Sequence, residues 1–158
     1  NVEDVFSADF DVYKITSNNI STVGTTQTDP NFRFIAANGT VISASNYEYG
    51  HVMMRTDAAY TSNLGTGQAQ LYRFFAEGID QTPETQGSVA YVFNPFLYTD
   101  FSMVLYESMT SAAGLNISMK GVGVLEQQAS MTGFQLIDAN GSRPFAGGTI
   151  RTYGLRVD

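Results

Sequence analysis

The chain has no cysteine, no tryptophan and a single histidine, His51, and it carries 8 lysines and arginines against 15 aspartates and glutamates in 158 residues. Each shortage removes a class of explanation. Without cysteine there is no thiolate metal site, thiol nucleophile or disulfide framework. A chain of this length needs none of these to fold, because it can take about 70% of its unfolded surface out of water. With one histidine, any Ser-His-Asp triad or histidine-based metal site has to run through His51. The basic residues stand singly, from Lys14 and Arg33 to Arg151 and Arg156, and the formal net charge is −7. A phosphate-tracking stripe is therefore missing, and nucleic acid is not an expected partner. No apolar run approaches the roughly 20 residues that cross a bilayer as a helix, so membrane insertion is not expected. Residue 1 is Asn, with no basic start or apolar segment behind it. The expectation is a removed leader or upstream domain, or numbering that starts inside a longer chain.

Charged residues make up 15% of the chain, against about 25% in an average soluble domain. Small neutral polar groups (Gly, Ser, Thr, Asn) must cover much of the surface. That suits extracellular β proteins and protomers that bury much of their outside against neighbours.

Strand signals recur along the chain. Residues 1–9 are acidic and irregular and read as an N-terminal arm or linker, with Val2, Val5 and Phe6 as docking points; residues 10–158 read as one β-sandwich domain. Phe10–Ile15 is rich in β-branched and aromatic types. Thr16–Asn31 is polar and reads as a long loop or a ragged edge strand. Asn31–Ala36 puts Phe32 and Phe34 on one face, and Asn38-Gly39 signals a hairpin into Thr40–Ser43. Tyr47–Arg55 places Tyr47, Tyr49, His51 and Met53 on one side at a period of two. Asp57–Gly67 reads as an exposed loop, Gln68–Ala76 as an alternating strand and Glu77–Gly87 as an acidic connection. Ser88–Phe93 is nearly continuous apolar and reads as buried on both faces. Phe101–Tyr106 and Leu115–Leu125 follow, the latter interrupted by Gly121 and Gly123, which suggest a bulge or a close backbone approach. Phe134–Ile137 and Thr149–Tyr153 flank Asn140-Gly141 and predict a terminal hairpin.

No window sustains apolar residues at helical spacing. Eight to nine strands with hairpin turns predict an all-β, antiparallel, jelly-roll-like β-sandwich. The missing Cys and Trp remove the immunoglobulin core markers.

Catalytic signatures are absent. His51 has an aromatic and apolar setting on its strand face, which favours a packed or rim histidine over a ligand. Asp9 and Asp11 are spaced to chelate a hard cation, yet an extended chain gives that spacing without a metal. Glu48, Glu77, Asp80, Asp100 and Glu107 supply acids for glycoside hydrolysis, but no motif pairs two of them across a groove. No cofactor, metal or catalytic residue is assigned, and the chain is not read as an enzyme. Most of the 9 Tyr and 11 Phe are expected in packing. The candidates for ligand or receptor contact are Tyr60 and Asn63 in the Asp57–Gly67 loop and Tyr98 in the Asn94–Thr99 connection, where a flat ring outside a strand can stack on a sugar. Sequons at Asn19, Asn38, Asn116 and Asn140 matter only in a glycosylating source.

Two segments, VFSADFDVYKI at Val5–Ile15 and FAGGTIRTYGL at Phe145–Leu155, resemble the opening and closing strands of a family of bacteriophage virion proteins common in marine tailed phages. The two segments total 22 residues, at the two ends of the chain. It implies a jelly-roll-like structural module on the extracellular virion: a fibre, a knob or a head decoration. Such modules are non-enzymatic, usually multimeric and often homotrimeric, partnered by other virion proteins and in some cases by host surface glycans. It also implies that the first and last strands are neighbours in one sheet. A free-standing carbohydrate-binding module is the competing reading.

Overall fold

The computed structural model describes all residues except 58, 59, 76, 81–84, 113, 114, 140, 142, 157 and 158. Nine strands and no helix are found among them: β1 (Val12–Thr22), β2 (Pro30–Ala36), β3 (Tyr47–Arg55), β4 (Thr61–Gln68), β5 (Thr85–Phe93), β6 (Ser102–Ala112), β7 (Leu115–Leu125), β8 (Met131–Asp138) and β9 (Phe145–Leu155). Seven form one sheet in the order β4-β3-β7-β6-β5-β1-β9, and β2 pairs with β8 in a second. Every pairing is antiparallel. The expected all-β antiparallel sandwich forms, with unequal layers of seven and two strands. As the resemblance implies, β1 and β9 are neighbours, with Val12 opposite Leu155 and Lys14 opposite Tyr153.

The inner face of the large sheet is built by alternation. Tyr13 and Ile15 on β1, Ala90 and Val92 on β5, Val104 and Tyr106 on β6, Met119 and Leu125 on β7, and Tyr47 and Met53 on β3 are all buried. Phe32, Phe34 and Phe134 from the small sheet, with Leu71, Phe74 and Phe75, pack against them in one cluster. Phe32 stacks on Phe134 with ring centroids 5.3 Å apart and lies 4.4 Å from Phe74.

Close packing explains the two β7 glycines. A Cβ at Gly121 would run into the Tyr106 ring, and one at Gly123 would stand 2.6 Å from Leu71. The β6–β7 register has no break, so close approach, not a bulge, is their reason. The N-terminal segment docks as well: Val2 bridges Phe134, Val5 N donates to the Thr132 carbonyl, and Phe6 is buried in the main cluster.

Several expectations need correction. The terminal hairpin does not form, because β8 pairs with β2 and β9 with β1. The turn between them lets the chain cross from one layer to the other: Gly141 N donates to the Asp138 carbonyl and Arg143 N to the Asp138 carboxylate. Asn140, the other half of the predicted turn, lies outside the described residues.

Thr16–Thr22, in the stretch read as a long loop or a ragged edge strand, continues β1 as a strand paired on both sides, with the ladder to β9 shifting between Asn18 and Ser21. Polar side chains disguised it: Ser17 and Thr22 are buried, and Asn19 absorbs the irregularity at φ 51°. Thr61–Gly67, also read as loop, belongs to β4. This is an edge strand that needs few apolar residues. Of Gln68–Ala76, read as a strand, only Gln68 is in one, as the end of β4; residues 69–75 are bends and turns with a bridge from Leu71 to Phe32, Arg73 has φ 54°, and Ala76 lies outside the described residues. Phe74 and Phe75 are both buried because the segment folds over the inner face. Thr40–Ser43 contributes only a bridge, Val41 to Ile35. Ser88–Phe93 is buried on one side, with Val89, Tyr91 and Phe93 half-exposed on the other.

Candidate functional site

Two places combine unusual chemistry with defined geometry: a polar network under β3 and the outer face of the seven-stranded sheet. The network joins the 69–79 segment to the sheet. Asp29 accepts hydrogen bonds from the Tyr72 hydroxyl at 2.7 Å, Arg73 Nε at 3.0 Å and Gly78 N at 2.9 Å. Glu77 bridges Arg73 and Arg55, each at 3.2 Å, and Arg55 also pairs with Asp57. Burial works to lower the Arg73 pKa, but Asp29 and Glu77 outweigh it and leave it raised. The hydrogen bond from Arg55 holds the Asp57 carboxyl below its usual range.

His51 lies beside this network and is buried. Its ring stacks on Tyr49 at a centroid distance of 5.8 Å, and its Nδ1 stands 3.4 Å from the Tyr106 hydroxyl. Its Nε2 has no hydrogen-bond partner among the described residues. Burial, reinforced by the positive charge of Arg73, pushes its pKa down, and burial pushes Tyr106 up. A neutral imidazole packed among rings is what results. The carboxylates near it are already engaged by arginines, so the arrangement ties a segment to the sheet. Among the described residues, no group of three or more His, Asp and Glu side chains is placed to hold a metal ion.

The outer face is the second place. Registers across the sheet place Tyr153, Lys14, Tyr91, Leu105, Val122, Gly50 and Leu64 in one row. The next row holds Leu155, Val12, Phe93, Met103, Val124 and Glu48. Neither row is covered: Leu64 is 75% exposed, Val122 57% and Met103 51%. Further along the strands come Met109 and Met54, also exposed, and an ion pair between Lys120 and Glu107 at 2.7 Å.

The residues singled out from sequence fall elsewhere. Tyr60 is exposed immediately before edge strand β4, at the end of the sheet where Thr61 faces Met53. Asn63 is exposed on β4 opposite His51. Tyr98 is exposed between β5 and β6, at the opposite end, where Phe93 faces Met103. Tyr60 and Asn63 therefore share an edge, whereas Tyr98 is separated from them by the length of the strands. Of the candidate acids, Glu77 is held by arginines and Glu107 by Lys120. Asp9 accepts a hydrogen bond from Ser7 Oγ. Asn19, Asn38 and Asn116 are exposed, and the fourth sequon, Asn140, is outside the described residues.

No family model, curated protein or solved structure matches the chain.

Sequence reasoning missed the outer face as a unit, although its signal was present. Alternation in β5, β6 and β7 leaves apolar residues on both sides of each strand, which is unusual when one side is meant for water.

Proposed function

We propose that this chain is a non-enzymatic structural module of a bacteriophage virion, of the fibre, knob or capsid-decoration kind, that assembles with copies of itself. The observation that carries the assembly part is the uncovered apolar outer face of the large sheet, because soluble monomers rarely leave more than a few hundred Å² of contiguous apolar surface exposed. Its make-up, Met, Leu, Val and aromatic residues around a single Lys120–Glu107 ion pair, is close to that of an interface core. The virion part is supported by the two end segments that carry the resemblance. They are distant in the sequence but pair as β1 and β9. Host attachment would use Tyr60 and Asn63 on the β4 edge.

The test is to label purified particles of the virus that encodes the chain with an antibody raised against it. Regular labelling of the particle is expected. A chain that stays in the lysate and is absent from washed particles would sink the reading. The exposure of Tyr60, 65%, favours a second reading, a free-standing carbohydrate-binding module. This reading requires specific glycan binding by a monomer, with about a tenfold or greater loss of affinity in Tyr60→Ala, equivalent to about 1.4 kcal/mol.

A further inference from the structure

We infer that the outer face of the seven-stranded sheet is closed by the same face of a second copy, related by a two-fold axis that runs along the strands between β6 and β7. The inference rests on the reading of the chain as a self-assembling module and names the surface and the symmetry. Three observations lead to it.

The first is size. The six strands that overlap about this axis, all but β9, at ~4.8 Å spacing and seven residues at ~3.3 Å rise give a face on the order of 670 Å². That is about what each partner contributes to a standard stable interface.

The second is charge. The strand residues on this face include three cations, Lys14, Lys120 and Arg151, and two anions, Glu48 and Glu107. Among the described residues, the other five cations and eleven anions lie outside these strand positions. The face is nearly neutral on a molecule of net charge −7, so it is the side on which two copies can meet with little repulsion.

The third is shape, and it fixes the axis. Rotation about a line between β6 and β7 exchanges those two strands and also exchanges β5 with β3, keeping each row in place. Glu107 then faces Lys120 of the second copy, and Lys120 faces its Glu107. Tyr91 on β5 comes over Gly50 on β3, and Met54 on β3 comes over Gly87 on β5. Both glycines have open space where a side chain would stand, with nothing within 4 Å of a Cβ built there. Neither glycine has positive φ, so the backbone does not call for glycine at either position. A bulky side chain thus meets a vacancy and an anion meets a cation on both sides of one axis. This self-complementarity is what an isologous pair requires, whereas a ring of three needs two different complementary patches on each chain.

The 158-residue chain is examined by sedimentation velocity and light scattering across a concentration series. The wild-type protein is expected at twice the 17.2 kDa chain mass. Gly50→Leu and Val122→Glu are expected to run as folded monomers, with far-UV dichroism and cooperative unfolding retained. Glu107→Lys is expected to weaken pairing by about 100-fold, and adding Lys120→Glu to it to restore the pair. A wild-type monomer at every concentration overturns the inference. So does a dimer or trimer that persists in Gly50→Leu and Val122→Glu, because its interface would then lie elsewhere. Particle labelling is read separately: a particle-bound monomer removes only the pairing, and a paired chain absent from particles removes only the virion reading.

Discussion

The two faces of the seven-stranded sheet use similar residue types to different ends. On the inner face, Tyr106, Met119 and Val104 are buried against Phe74, Leu71 and the β2–β8 layer, and glycines occur where there is no room for anything larger. On the outer face, Met103, Met109 and Val122 stand in the open, and glycines occur where there is room to spare. The two faces show that apolar content alone does not mark a core. What separates a core from an interface waiting for its partner is whether this same chain supplies the covering layer. Here the chain spends its second layer on one side only.

The contrast is sharpest for large side chains. Replacing Phe74 with Ala should cost about 3 to 5 kcal/mol in urea unfolding, the usual range for deleting a buried ring. Met109→Ala should stay within about 0.5 kcal/mol when measured on a monomeric background such as Val122→Glu. Equal losses at the two positions would mean that the outer face is already covered within one chain.

Glycines give a smaller effect of opposite sign. Gly121→Ala drives a methyl into the Tyr106 ring and should destabilise by about 1 to 3 kcal/mol. Gly50→Ala, with free space above it, should instead stabilise a monomeric background by up to about 1 kcal/mol, because a mid-strand glycine has more unfolded freedom to lose. If both substitutions destabilise alike, the outer glycine has a backbone role that the open geometry hides.

The smallest effect is a pH dependence confined to the inner face. Burial and Arg73 hold the His51 pKa below its ordinary value of about 6.5. The unfolded chain therefore binds a proton there that the folded chain refuses. The stability gained by keeping the ring neutral is complete above about pH 6.5 and declines as the pH falls below that value. His51→Phe should flatten the stability curve below about pH 6.5, where wild-type stability falls. A slope that survives the substitution would assign the titration to another group.

Much of the fold was legible because β-formers repeat at a period of two. The strands that were easiest to find, such as Tyr47–Arg55 and Phe101–Tyr106, are those whose alternation is written in large side chains. The ones missed were written in small polar residues. The second half of β1 hides Ser17 and Thr22 in the core, with Ser17 Oγ hydrogen-bonded to both Ser88 and Gln86. Partners of this kind are invisible from local sequence. The terminal hairpin failed for a related reason. A turn signal reports that the chain reverses, whereas the choice between returning to the same sheet and crossing to the other layer depends on β1 and β2, more than 100 residues away.

The site was harder still. Tyr60, Asn63 and Tyr98 were chosen one at a time for being outside strands. The outer face exists only when six strand registers are laid side by side.

One consequence of the β1–β9 pairing concerns time. The partner that closes the free side of β1 is synthesised more than 120 residues after it, so β1 remains open on that side while the intervening strands emerge. Closing so long a loop adds only a slowly growing entropic cost to stability, but a sheet completed by contacts this distant in sequence is slow to form. A chain arrested before Phe145 would present the whole of β1 as an unpaired edge, ready to recruit a strand from another nascent copy. The interval between the emergence of β5 and that of β9 is the one in which β1 is most exposed to misassembly.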